Sequence, residues 1–208
     1  GGHLRPVYDL SKADLIVSLD SDFLCGEGDS LAQARGWASK RTPDHGHMSR
    51  VLVLESGLSV TGAAADDRWP MKSSDVSNVA RHLTAAVLGG SSPTLWGATP
   101  EVVQTLAKQL NDAKGRGLVM AGRGQPAAVH HLAALMNERL GNTGSTVKYV
   151  RVPQPEMDTA DLADFVAAGD VDTVVIIGGN PVYDAPADMG FAAKLKSVPT
   201  SLHLSSHD

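Results

Sequence analysis

Gly178-Gly179-Asn180-Pro181 follows the apolar run 174–177 and leads into a segment carrying Asp184 and Asp188. Two glycines at the end of a buried strand let backbone approach a ligand, or another chain segment, at the carboxyl edge of a parallel sheet. Gly178, Gly179 and the Asn180 side chain could therefore present amides to a phosphate or a heterocycle. The same residues also make a tight strand-to-helix turn, with Asn180 tolerating a left-handed backbone and Pro181 fixing the exit. Arg123, flanked by Gly122 and Gly124, repeats the layout with a cation and is the residue best suited to a phosphate; an ordinary exposed arginine is the plainer alternative. Near the N-terminus the glycines are replaced by acids, because the run 15–19 leads into Asp20-Ser21-Asp22. Carboxylates there would repel an incoming anion by several kcal/mol at an intermediate dielectric, so this edge is expected to be closed to anions. Glu55 ends the next strand, where an acid can accept hydrogen bonds from ribose hydroxyls; a solvated strand end is the plainer alternative.

Other chemistry-bearing residues are weaker. His45 and His47 have the look of a metal pair but lack the third and fourth ligands a site needs. His130 and His131 are adjacent on a predicted helix and face different directions. Ser18, Ser56 and Ser205 lie near strand ends without the Gly-x-Ser-x-Gly elbow of a hydrolase. Cys25, the one cysteine, rules out an internal disulfide and any cluster ligated by cysteines of these residues alone. It is either a nucleophile or a stray thiol. No catalytic residue and no metal ligand is assigned.

The elements that would position these residues alternate along the chain. Apolar, β-rich runs at 15–19, 51–54, 118–121, 147–152, 173–177 and 201–204 are separated by helix-period stretches at 30–41, 75–88, 100–113, 125–140, 158–168 and 187–196. That alternation predicts an α/β fold with mainly parallel sheets. Asp75 precedes an apolar stripe and reads as a helix start, Thr99-Pro100-Glu101 likewise, and Gly141 as a stop. Gly89-Gly90-Ser91-Ser92-Pro93 is the expected boundary. It divides the chain into a first Rossmann-like lobe, 1–90, and a linker helix with a second Rossmann-like lobe, 91–208.

A net charge of −5 with scattered basic residues argues against a nucleic-acid surface. No apolar stretch approaches the roughly 18 residues of a membrane span, so the chain is expected to be soluble, without direct membrane insertion. Strands close to both ends suggest a fragment of a longer protein.

Taken in order, these segments resemble the molybdopterin oxidoreductase family, in its two pterin-dinucleotide-binding, Rossmann-like domains. The likeness rests on residues 13–20, on Glu55-Ser56-Gly57 through Asp66, on Lys72-Ser73-Ser74-Asp75, and on Ala121-Gly122-Arg123-Gly124-Gln125, Leu140-Gly141-Asn142-Thr143-Gly144 and Ile177-Gly178-Gly179-Asn180-Pro181. The closer likeness, at 18–24 and 61–66, is to the molybdopterin-type portion of the iron–sulfur subunit of alternative complex III, a respiratory assembly. The resemblance implies that Asp75 meets guanine. If the site is retained, it implies molybdopterin guanine dinucleotide held by Glu55, Asp75, Arg123, Gly178, Gly179 and Asn180. This chain departs from the pattern at Leu19-Asp20-Ser21-Asp22, where cofactor-binding members have a Gly-x-Asn-Pro type loop, and at Gly57-Leu58, where they have Pro-Arg. The departures imply a degenerate cofactor site, with no cofactor in these residues and a structural or docking role. Iron–sulfur clusters would lie elsewhere in the parent. The partners implied are other subunits of a membrane-associated respiratory complex at the periplasmic face. An active oxidoreductase that retains the cofactor and a free-standing nucleotide-binding module are the alternatives.

Overall fold

The computed structural model describes residues 3–43, 48–90, 100–153 and 162–205. The chain is α/β and divides into two compact units, Gly1–Pro153 and Gln154–Asp208. The division differs from the one expected at 89–93, because the strand expected to open a second lobe belongs to the first sheet.

In the first unit, strand β1 (His3–Tyr8) and a short 3₁₀ turn (Leu10–Lys12) precede β2 (Leu15–Leu19). Helix α1 (Ser30–Ser39), β3 (Arg50–Glu55), the single turn α2 (Val60–Ala63), β4 (Asp67–Pro70) and α3 (Ser73–Val87) follow. Then come α4 (Pro100–Asp112), β5 (Gly117–Ala121), α5 (Ala127–Arg139) and β6 (Val147–Val152). The strands β4-β3-β2-β5 form one sheet, parallel throughout, with Val17 opposite both Leu52 and Val119. All five residues of β2 are buried, which is why this central strand reads as an uninterrupted apolar run rather than an alternation.

Alternate residues of the sheet face two cores. Val17, Leu19, Leu52, Leu54 and Val119 pack with the apolar stripes of α3, α4 and α5. Ile16, Val51, Val53, Leu118 and Met120 face the other way, toward Leu10, Phe23 and Val147. Strand β6 does not extend the parallel sheet. It pairs antiparallel with β1, Tyr8 opposite Val147, a partner that the apolar pattern did not reveal because β1 is mostly exposed and contains Pro6.

Strand β5 is therefore an edge strand among the described residues, and its free edge is occupied by side chains. The Gly122 N–H donates to Leu19 O at 2.9 Å, so the even-numbered residues of β5 point their backbone groups at β2 and Gly117, Val119 and Ala121 point theirs away. The Val119 N–H donates to Asn137 Oδ1 (2.9 Å), and Asn137 Nδ2 donates back to Val119 O (2.8 Å). Thr146 Oγ1 donates to Gly117 O at 2.6 Å. A buried carboxamide on α5 thus replaces the next strand.

In the second unit, α6 (Leu162–Ala167), β7 (Thr173–Ile177), α7 (Pro181–Asp184), α8 (Phe191–Ser197) and β8 (Thr200–Leu204) build a two-stranded parallel sheet with helices. Phe165 and Phe191 stack at 5.3 Å between ring centroids. The predicted helix 187–196 is interrupted, because Gly190 takes φ +73° and separates a 3₁₀ turn from α8. No helix among the described residues is long and apolar enough to cross a membrane.

Candidate functional site

In an open parallel sheet, ligands bind at the carboxyl ends of the strands, at the point where the strand order reverses. Here that point lies between β2 and β5, with β3 and β4 on the far side of β2. It is closed by the chain itself. A Cβ added to Gly122 would lie 1.8 Å from Asp20 O, so the two loops touch backbone to backbone and only glycine fits.

The acids at this edge are engaged by donors of the chain itself. Among the described residues, Asp20 is the one non-glycine residue with positive φ, at +62°. In that pose its carboxylate accepts from Ser56 N (2.8 Å), Ser56 Oγ (3.1 Å) and Gln125 Nε2 (2.7 Å). Asp22 Oδ1 accepts from Thr61 N (2.9 Å) and Thr61 Oγ1 (2.8 Å), while Thr61 Oγ1 accepts from Leu24 N (3.0 Å). Glu27 spans the neighbouring loops, taking Arg123 N (3.0 Å) on one oxygen and Ser21 Oγ (2.7 Å) on the other. Each carboxylate thus engages a backbone amide of a neighbouring loop.

Glu55 completes the pattern from inside. It is 3% exposed, pairs with Arg68, and accepts from Ser59 Oγ at 2.5 Å and Ser59 N at 3.4 Å. Ser59 Oγ in turn accepts from Gly62 N at 2.9 Å, capping α2. A Cβ on Gly62 would fall 1.9 Å from Glu55 Oε1, so this glycine makes room for the carboxylate. Ser18 is buried too and locks the turn after β2, donating to Ser21 O (2.9 Å) and accepting from Ser21 N (3.0 Å).

The remaining sequence candidates are dispersed. Asp75 lies in the first turn of α3, two residues after the helix start at Ser73 rather than at its cap. Ser73 Oγ accepts from Gln125 Nε2 at 3.1 Å, which ties α3 to the Asp20 cluster. The Arg123 side chain is exposed. Gly178, Gly179 and Asn180 belong to the second unit, with φ +63° and +60° at the two glycines. Asn180 caps α7, its Oδ1 accepting from Tyr183 N (3.3 Å), and its own N–H donates to Asp184 Oδ2 (3.2 Å). Cys25 is exposed, and His45 and His47 fall outside the described residues. No group of three or more potential metal ligands comes together among the described residues.

Sequence reasoning gave Glu27, Ser56, Thr61 and Gln125 no role at this edge. Glu27 lies between Gly26 and Gly28, Ser56 directly follows β3 and Gln125 ends a glycine-rich run, but neither spacing nor periodicity shows which carboxylate meets which donor. Burial pushes the Tyr8 phenol above its usual range, with Tyr149 and Glu27 nearby adding to the effect. Compared with known proteins, the chain matches no protein-family model and no curated protein sequence.

Proposed function

We propose that this chain is the pterin-fold portion of a molybdopterin-oxidoreductase-like respiratory iron–sulfur subunit, kept as a structural and docking element. The observation that carries the reading is the commitment of Asp20, Asp22 and Glu27 to the backbone amides of Ser56, Thr61 and Arg123. A diphosphate needs such amides free. With its own acids in place, the edge of the first unit is a self-filled version of an anion cradle, and the residues there do not fit a dinucleotide's diphosphate. Electrons would then pass through clusters held elsewhere in the parent, and the partners would be other subunits of a membrane-associated complex at the periplasmic face. The single cysteine of this chain cannot hold such a cluster alone.

Two measurements test the reading. Guanosine diphosphate titrated into the chain is expected to give no saturable binding up to about 1 mM, an affinity weaker than about −4 kcal/mol. Metal analysis of the purified parent is expected to find neither molybdenum nor tungsten in stoichiometric amount. Stoichiometric metal, or micromolar nucleotide affinity lost on Asp75→Ala and Asn180→Ala, would instead establish the cofactor-retaining oxidoreductase.

A further inference from the structure

We propose that a cleft in the first unit, beside the self-filled loops and sharing Ser21, Glu27 and Arg123 with them, binds a small anionic molecule carrying a primary carboxamide. The cleft encloses about 690 Å³ between α1, β1 and the free edge of β5, within the roughly 300–1,000 Å³ typical of small-molecule sites. Its apolar walls are Pro6, Val7, Ala32 and Met120.

Three polar features define the occupant. Ala121 lines the cleft and, like Val119, points its N–H and C=O off the free edge of β5, where no strand lies beside it among the described residues. Two residues earlier the same edge shows what suits such a pair. Asn137 lays its carboxamide across Val119, oxygen on the N–H and nitrogen on the C=O. A ligand carboxamide would repeat that bond pair at Ala121. Gln33 supplies the second feature. It is 6% exposed, lines the cleft, and its Oε1 has no donor among the described residues. An unmet buried acceptor costs about 1–3 kcal/mol, and the second N–H of a primary carboxamide would meet it. The third feature is charge. The cleft's two acids, Glu27 and Asp29, keep their charge but hold an oxygen on Arg123 N and Ala32 N. Arg5 and Arg123 line the cleft and form no ion pair recorded among the described residues. Two uncommitted guanidiniums favour a phosphate or carboxylate on the ligand.

The probe is nicotinamide mononucleotide, which carries both groups, titrated into the 208-residue chain with amide chemical shifts followed by NMR. Binding is expected to move the Ala121 amide signal. Replacing the probe by nicotinamide riboside, which lacks the phosphate, or by nicotinic acid mononucleotide, which lacks the amide donors, is expected to weaken binding tenfold or more. Arg123→Ala, at an exposed position that the fold does not need, is expected to weaken the mononucleotide tenfold while leaving the riboside unchanged. Gln33→Leu is expected to erase the preference for amide over acid. The proposal is overturned if no shift appears at about 5 mM probe, if the acid binds as tightly as the amide, or if Arg123→Ala has no effect.

Discussion

Replacing Asp20 separates backbone strain from carboxylate bonding, because Asp20→Gly and Asp20→Ala lose the same three hydrogen bonds but differ at φ +62°. Two of those bonds go to Ser56, which is exposed and recovers water; the third goes to the buried Gln125, which keeps Ser73. A loss of about 2 kcal/mol is therefore expected from the bonds. Glycine returns about 1 kcal/mol because it holds the left-handed backbone without a Cβ penalty, whereas alanine returns none. Asp20→Gly should thus be about 1 kcal/mol less stable than the parent chain, and Asp20→Ala about 2 kcal/mol less stable. Urea unfolding followed by tryptophan fluorescence reads this directly, since Trp37 and Trp69 lie in the first unit. Asp20→Gly also frees the Ser56 amide. Pyrophosphate at ten times its dissociation constant should then stabilise this variant by about 1.4 kcal/mol and leave the parent chain unmoved. Equal stability of the two variants would refute the strain argument. Equal stabilisation of parent and variant by pyrophosphate would refute the idea that carboxylates fill the anion positions.

Asn137→Leu removes both partners of Val119 and should destabilise the first unit by about 2–4 kcal/mol, since two buried backbone groups lose their bonds; hydrogen exchange should accelerate most at the Val119 amide. Burial holds the Tyr8 proton more tightly in the folded chain than the ordinary value of 10.0. Its contribution to stability is therefore complete below pH 10.0 and is lost as the pH rises above it toward the raised folded value, so the urea midpoint should begin to drop near pH 10.0 and keep falling at higher pH, less steeply in Tyr8→Phe.

Periodicity and apolar runs carried most of the first sheet. The run 15–19 has to be a central strand because nothing in it tolerates solvent, and the stripe Val76, Val79, Ala80, Leu83 and Val87 has one buried face only as a helix. The strands β1 and β4 were not legible, because half-exposed edge segments such as Asp67–Pro70 carry neither alternation nor apolar density. Register and partner choice were equally hidden, so β6 could be placed as a strand but not as the antiparallel mate of β1. The sequence alone also set down acids where a phosphate loop would need amides, at Asp20 and Asp22. Only the tertiary structure decided what those acids do. A carboxylate's effect depends on which donor lies within 3 Å, and the donors here, Ser56, Thr61 and Gln125, come from segments as far as 105 residues away in the chain.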